Sequence, residues 1–379
     1  MTKRGAVFGC LSALAISSLS AQTWKGTVVK QGDVVVVKNP KTPIYKDPIL
    51  TLRVELTIGG GETKEPAMLG EISSLVVDSS ERIYILDGTS LQVKVFDKSG
   101  RYLRSIGRRG EGPGEFMDPY RMMIDGRNNR LFVKDVKFGF VIFDSGGKHI
   151  TNLSGDDARR SQNSAIDSRG SIILDSIKIQ DMEHRWDVLK RFDAEMTAGE
   201  DIRFVDIGSP YNVAAPLVVW ALASNDDIVF GYPDTYRVER MDFLGRIKRI
   251  IEKEHTPVAL DAEDKARIAK AIASIPFPPE SGQKGSFPMP QELAKKLGAS
   301  KYRSAYRKIQ VDDRNRLYVQ TWQKRGDSFV TDIFDAEGRY MVEAVFPVRS
   351  EFFGDKLYAI EEDADGYPMV KRYSMQWIY

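Results

Sequence analysis

A two-residue mark, Phe-Asp, recurs along this chain at nearly even spacing, and that spacing limits the fold more than any other feature. It stands at Phe96-Asp97, Phe143-Asp144, Phe192-Asp193, Met241-Asp242 (Met replacing Phe) and Phe334-Asp335, with Tyr373-Ser374 as a degenerate last copy. Successive steps are 47, 49, 49, 93 and 39 residues. Only the fourth step breaks the rhythm, and its surplus matches the Pro-rich, helix-like stretch 256–301. A fixed period of this size is the signature of a repeat architecture, and six marks imply six copies.

Each copy holds about four short strands separated by polar turns, the pattern of a propeller blade. In residues 70–107 and again in 114–153, two apolar strands each end near an Asp. A third ends in Val/Ile-Phe-Asp, and a fourth follows a turn containing Gly. Segments such as Ser74-Leu75-Val76-Val77 and Arg130-Leu131-Phe132-Val133 alternate poorly, which fits strands sandwiched between neighbouring blades. A β-sandwich or two tandem barrels is the rival architecture, and neither explains the regular step.

The last copy has strands around Lys356–Glu361 and Met369–Tyr373, but the chain ends at Tyr379 before a full outer strand. An unmatched strand, Leu52–Ile58, precedes the first copy. The expectation is that this N-terminal strand completes the sixth blade, pairing the chain ends and removing an open edge. The fold class is therefore all-β: a six-bladed β-propeller with four-stranded blades over 49–379, closed by its N-terminal strand, with a helical insert (256–301) before blade five. Residues 22–48 form an N-terminal extension, in which Asp33-Val-Val-Val-Val-Lys38 is predicted to add a strand or hairpin outside the ring.

The run Gly107-Arg-Arg-Gly-Glu-Gly-Pro-Gly-Glu-Phe116, followed by Pro119, Asp125 and Val141-Ile-Phe-Asp144, resembles the NHL repeat. Arg101-Tyr-Leu-Arg-Ser-Ile-Gly107 resembles the end of the preceding copy. Blades one and two carry the resemblance well; blades three to six carry it only in their strands and the Phe-Asp mark. Over residues 49–379 the chain looks like bacterial six-bladed propellers of NHL or TolB-like type. That resemblance implies a fold and leaves activity open, since such propellers host binders, lyases and hydrolases alike.

Residues 1–21 read as a secretory signal peptide: basic Lys3 and Arg4, an apolar run from Ala6 to Ile16, and small residues Ser18 to Ala21 for cleavage. The run is short and broken by Gly9 and Ser12, unlike a membrane span. Localisation is read as periplasmic, cell-surface or secreted. Cys10 follows Val7-Phe8-Gly9, a poor lipoprotein box because Phe8 is bulky. Cys10 is also the sole cysteine, so the mature chain has neither disulfides nor cysteine-based sites. Without Lys3 and Arg4, 53 of the 55 basic residues face 53 acidic ones with no like-charge block. Nucleic-acid binding, which needs a concentrated basic surface, is disfavoured.

Three candidate features are read as structural. The glycines at 107, 110, 112 and 114 lie between two strands, not between a strand and a helix, so they serve an inter-blade connection in place of a phosphate cradle. Asp78, Asp125, Asp167 and Asp312 each precede a polar turn that an Asp side chain caps. Spread around a ring, they do not converge on calcium. In some propeller lyases of the family resembled here, histidines from several blades hold a channel metal. His149, His184 and His255 share no position in the repeat, and no metal or other cofactor is assigned. No Gly-x-Ser-x-Gly elbow occurs.

Function is expected at the channel mouth, where Arg108, Arg109, Tyr120, Arg121, Lys134, Trp220, Tyr232 and Trp322 are the candidate binding residues. Arginine and aromatics dominate recognition surfaces, although each also packs readily between blades. In the insert, Asp261 is a plausible N-cap; Ile268, Ile272 and Ile275 give helical spacing; Pro276-Phe-Pro-Pro279 stops the helix; and Pro290 opens a second over Gln291 to Leu297. The leading expectation is an exported binding or scaffolding module for a peptide, glycan or protein partner. The alternative is a metal-dependent lyase or hydrolase in the channel mouth, for which no catalytic constellation is visible. A stoichiometric, chelator-removable ion in purified protein would favour that alternative.

Overall fold

The structure is a computed structural model that describes residues 23–180, 184–208, 215–274, 301–326 and 328–378. The signal peptide, Ile275, the Pro276–Pro279 stop and the second insert helix lie outside these residues.

Blade one shows how the repeat folds. Its strands Ile72–Val77, Ile83–Asp87, Gln92–Phe96 and Tyr102–Ile106 pair antiparallel, in chain order from the innermost outwards. Blades two, three and five follow the same order, starting at Pro119–Asp125, Ser164–Ile166 and Lys308–Val311. Blade four starts at Val219–Leu222. Blade six takes its outer strand from the other end of the chain. Leu50–Gly59 pairs antiparallel with Pro368–Trp377, from Met369↔Gly59 to Trp377↔Leu50. The ring closes as the sequence indicates, with Leu52–Ile58 beside Met369–Tyr373.

The repeating mark has a defined structural place. Its aromatic or Met residue pairs across the sheet with the first apolar residue of the preceding strand. The pairs are Phe96 with Ile83, Phe143 with Leu131, Phe192 with Ile172, Met241 with Ile228, Phe334 with Leu317 and Tyr373 with Leu357. The Asp that follows caps the next turn: Asp97 accepts the Ser99 and Arg101 amides, each at 3.0 Å, and Asp144 accepts those of Gly146 and Lys148, each at 2.9 Å. The turn aspartates after the innermost strands do the same work. Asp78 accepts the Ser80 amide, and Asp312 the Arg314 amide, while their outer oxygens hold Arg82 with Tyr84 and Arg316 with Tyr318.

Six apolar clusters fill the six seams between neighbouring blades, including the seam between blades six and one, where Ile58, Tyr358 and Val370 meet Leu69, Ile72 and Ile83. The fully buried strands are the middle ones, such as Ile83–Asp87 and Gly139–Phe143, buried at every residue. The innermost strands keep half-buried positions because one edge faces the channel.

Outside the ring, the extension forms a hairpin of Thr27–Gln31 and Val34–Asn39, and the latter joins the outer strand of blade four, Ile247–Lys253, in parallel. Asn39 is buried and ties blades four and five together. Its amide nitrogen donates to the Glu252 carbonyl at 3.1 Å and the Gly338 carbonyl at 2.9 Å, and its oxygen accepts the Tyr340 amide at 2.8 Å. The chain then runs along blade five through the Ile44 and Tyr45 amides, bonded to the Tyr340 and Met341 carbonyls, and reaches blade six, where the Ile49 carbonyl accepts from Ile378. One segment therefore girdles three consecutive blades.

The glycine run is an inter-blade connection. Gly107 has φ 75°, and a Cβ there would stand 2.2 Å from Cε2 of the Phe116 ring. Gly107→Ala combines left-handed strain with overpacking and is expected to cost about 2–4 kcal/mol, measured by urea unfolding. A cost below about 0.5 kcal/mol would contradict this reading of the turn.

Candidate functional site

The innermost strands surround a cavity of about 1750 Å³ to which every blade contributes, for example through Val76, Arg121, Asn163, Val219, Lys308 and Phe352. A helix, Ala262–Ala273 of the insert, stands at one end, where Arg267, Ile268 and Ala271 line the wall. The helix begins with a reciprocal capping box. Asp261 accepts the Asp264 amide at 2.9 Å, and Asp264 accepts the Asp261 amide at 3.3 Å. Arg303, just beyond the insert, donates to Asp264 and Asp261, each at 2.5 Å, and so fastens the helix to the ring. Burial alone would raise the Asp264 carboxyl, but hydrogen bonds from Arg303, the Asp261 amide and Arg267 hold it below its ordinary value.

Three of the expected mouth residues line the cavity: Arg121, Trp220 and Trp322. Arg121 sits on the innermost strand of blade two, half-buried, its guanidinium making no hydrogen bond or ion pair among the described residues. Trp322 donates its indole N–H to Ser304 Oγ at 3.0 Å. Trp220 touches the cavity but is only 5% exposed and belongs to the seam between blades three and four.

The other five do not line the cavity, for identifiable reasons. Arg108 is drawn to Glu115, with Nε 2.7 Å from its carboxylate, and Arg109 forms a backbone bridge with Phe116. Lys134 lies on Arg130–Asp135, buried at every residue after Arg130, and donates to the Ser161 carbonyl and Oγ; burial pushes its ammonium down to about 8. Tyr120 donates to the same carbonyl at 2.9 Å, and burial pushes its phenol up to about 12. Tyr232 is half-buried in the connection before Arg237–Met241, and burial raises its phenol too.

The cavity also holds charged groups that sequence reasoning missed. Lys308 donates to the Ser350 carbonyl at 3.0 Å. Burial depresses its ammonium, Glu351 opposes that shift, and Arg121 adds to it. Asp175 accepts the Asn163 amide at 2.6 Å, and burial raises its carboxyl. Arg307 lines the wall beside Trp322 and Phe329, its guanidinium carbon 4.6 Å and 3.6 Å from their ring centres. A sequence signal for some of them existed. Counting back four residues from the turn aspartates 125, 167 and 312 gives Arg121, Asn163 and Lys308, all on the wall.

No histidine lines the cavity, and among the described residues no three His, Cys, Asp or Glu side chains converge as a metal site. His149 bonds to Asn152 at 2.9 Å, His184 stacks on Trp186, and His255 packs against Tyr236. No described helix is long and apolar enough to cross a membrane.

Residues 61–167 match the DUF5128 family model, described as a 6-bladed beta-propeller. No curated protein matches the chain. Among solved structures, a Bacteroides fragilis protein described as exported is similar at 13% identity. The match covers 89% of this chain and 99% of that one, with a TM-score of 0.58. A DUF4221-family member from Bacteroides vulgatus is similar at 13% identity over 86% of this chain and 99% of its own, with a TM-score of 0.53. At such identities the likeness is one of fold.

Proposed function

We propose that this six-bladed propeller is an exported binding module that holds its ligand in the central cavity, at the end carrying the insert helix. One observation carries the reading: a cavity of about 1750 Å³ receives residues from all six blades and from a helix outside the repeat. A large concave site with a few placed polar groups is the usual form of a ligand pocket. The long insert on a repeat scaffold supports the same end of the channel. Export rests on the signal-like residues 1–21. Arg121 and Trp322 are the assigned contact residues.

Glycan and peptide arrays probed with the whole protein test the proposal, with Arg121→Ala and Trp322→Ala beside it. Cavity ligands are expected to lose roughly tenfold or more in affinity with either substitution. Ligands that bind both variants as tightly as the parent would place recognition elsewhere and sink the proposal.

A further inference from the structure

Several arginines of this ring bury part of the guanidinium, and among these one stands apart. Six of them (Arg104, Arg191, Arg240, Arg249, Arg307 and Arg372) have a buried guanidinium nitrogen lacking a hydrogen bond. Five of the six bond through another nitrogen: Arg104 to Ser145, Arg191 to Glu200, Arg240 to Asn315, Arg249 to Ala336 and Arg372 to Lys98. Arg307 makes no side-chain hydrogen bond at all among the described residues. It is held only by the Trp322 and Phe329 rings.

Its neighbours make the position costlier. Burial is the main influence that lowers its affinity for the proton, and Arg303 and Arg267 add like charge. Arg303 is itself satisfied by Asp261 and Asp264. Arg121 and Lys308, on the same cavity wall, likewise have no carboxylate within 4.0 Å among the described residues. A half-buried cation with one guanidinium nitrogen shielded from water and no counter-ion among the described residues is unfavourable, and beside an open cavity it is open to a partner supplied from outside.

We propose that Arg307 forms an oxyanion site in the cavity wall, so that the ligand presents a carboxylate, phosphate or sulfate group to its guanidinium. This rests on the binding reading above and names the chemistry of its ligand. A guanidinium fixed by two aromatic rings presents its planar edge at little conformational cost, which suits two-oxygen contact with an oxyanion.

The test titrates citrate, inorganic phosphate and sulfate separately into the whole protein at low ionic strength, where charge contacts are least screened. Calorimetry and Trp fluorescence both report binding, since Trp322 adjoins Arg307. At least one oxyanion is expected to bind, and which one identifies the group. Arg307→Gln is expected to weaken it roughly tenfold or more, and Arg307→Lys by less. Lys148→Gln, exposed outside the cavity, is expected to leave it unchanged.

Without ligand, Arg307→Gln is expected to melt at the parent's temperature or above, because it removes an unpaired cation. Failure of all three anions to bind, or equal binding by Arg307→Gln, overturns the site. A clear drop in the melting temperature of ligand-free Arg307→Gln also overturns it, by showing that the residue serves packing. A neutral array ligand lost with Trp322→Ala would then leave the binding reading standing without the oxyanion.

Discussion

A chain starting at residue 61 is expected to lose cooperative folding, and attaching residues 48–59 after Tyr379 through a short Gly-Ser linker is expected to restore it. The truncation removes the strand Leu50–Gly59, leaving Pro368–Trp377 with an unpaired edge along its length. It also takes Ile58 out of the seam between blades six and one, where Ile58 packs with Leu69, Ile72 and Val370. An open ring with an exposed ten-residue edge is prone to edge-to-edge association. The loss is expected to reach several kcal/mol, a large share of the ~5–15 kcal/mol that holds a typical domain.

The rearranged chain lacks the same N-terminal hairpin as the truncated one, so the pair isolates closure. Its geometry is favourable because Trp377 already stands opposite Leu50, leaving only a short loop to span. Size-exclusion chromatography and thermal unfolding by circular dichroism distinguish the two. Cooperative melting of the truncated chain within a few degrees of the parent would refute the role given to the closing strand.

Asp332→Ala is expected to be the most damaging single substitution in the seam between blades four and five. Asp332 is buried; its carboxylate accepts the Tyr236 hydroxyl at 2.5 Å and the Tyr340 hydroxyl at 2.6 Å, and pairs with Lys253 at 3.0 Å. Lys253 lies between those two rings, 5.1 Å and 4.4 Å from their centres. Burial, reinforced by the neighbouring carboxylate, holds both phenols well above their ordinary value, so they stay protonated and donate. Removing the carboxylate strands a buried ammonium and the Tyr236 hydroxyl, and leaves the Tyr340 hydroxyl only its 3.1 Å bond to Glu343. The expected cost is about 3–5 kcal/mol, read from the urea midpoint at unchanged slope. Asp332→Asn keeps an acceptor and is expected to cost about 1–3 kcal/mol. A cost below about 1 kcal/mol for the Ala variant would show that the network relaxes around the loss.

The parts of this fold legible in the sequence are those written in local chemistry. The Phe-Asp mark is a strand residue followed by a turn cap, so its spacing counts blades directly. The strand before blade one matches no repeat, and it pairs with the last strand of blade six, Pro368–Trp377. The capping box at Asp261 and Asp264 was half visible in its spacing, but its attachment to Arg303, 39 residues past Asp264, was not. The Asp332 network joins residues 96 apart and follows no local pattern. Residue type and approximate loop position do not say which way a side chain faces: Lys134 and Trp220 lie in or beside the seams, whereas Lys308 and Arg307 line the cavity. Register counted back from the turn aspartates separates Arg121 and Lys308 from the buried set.

The N-terminal segment that passes from blade four across blade five to blade six makes the two halves of the ring unequal. Blades four to six share a continuous N-terminal belt that belongs to none of their repeats, whereas among the described residues blades one to three are held by nearest-neighbour seams. Partial opening is therefore expected to begin in the unbelted half, the one that bears Arg121, and to appear as faster amide exchange in blades one to three. Arg307, Lys308 and Trp322 sit on the stiff side. A ligand bridging Arg121 to Lys308 would tie the yielding arc to the rigid one and slow the breathing of the whole circle.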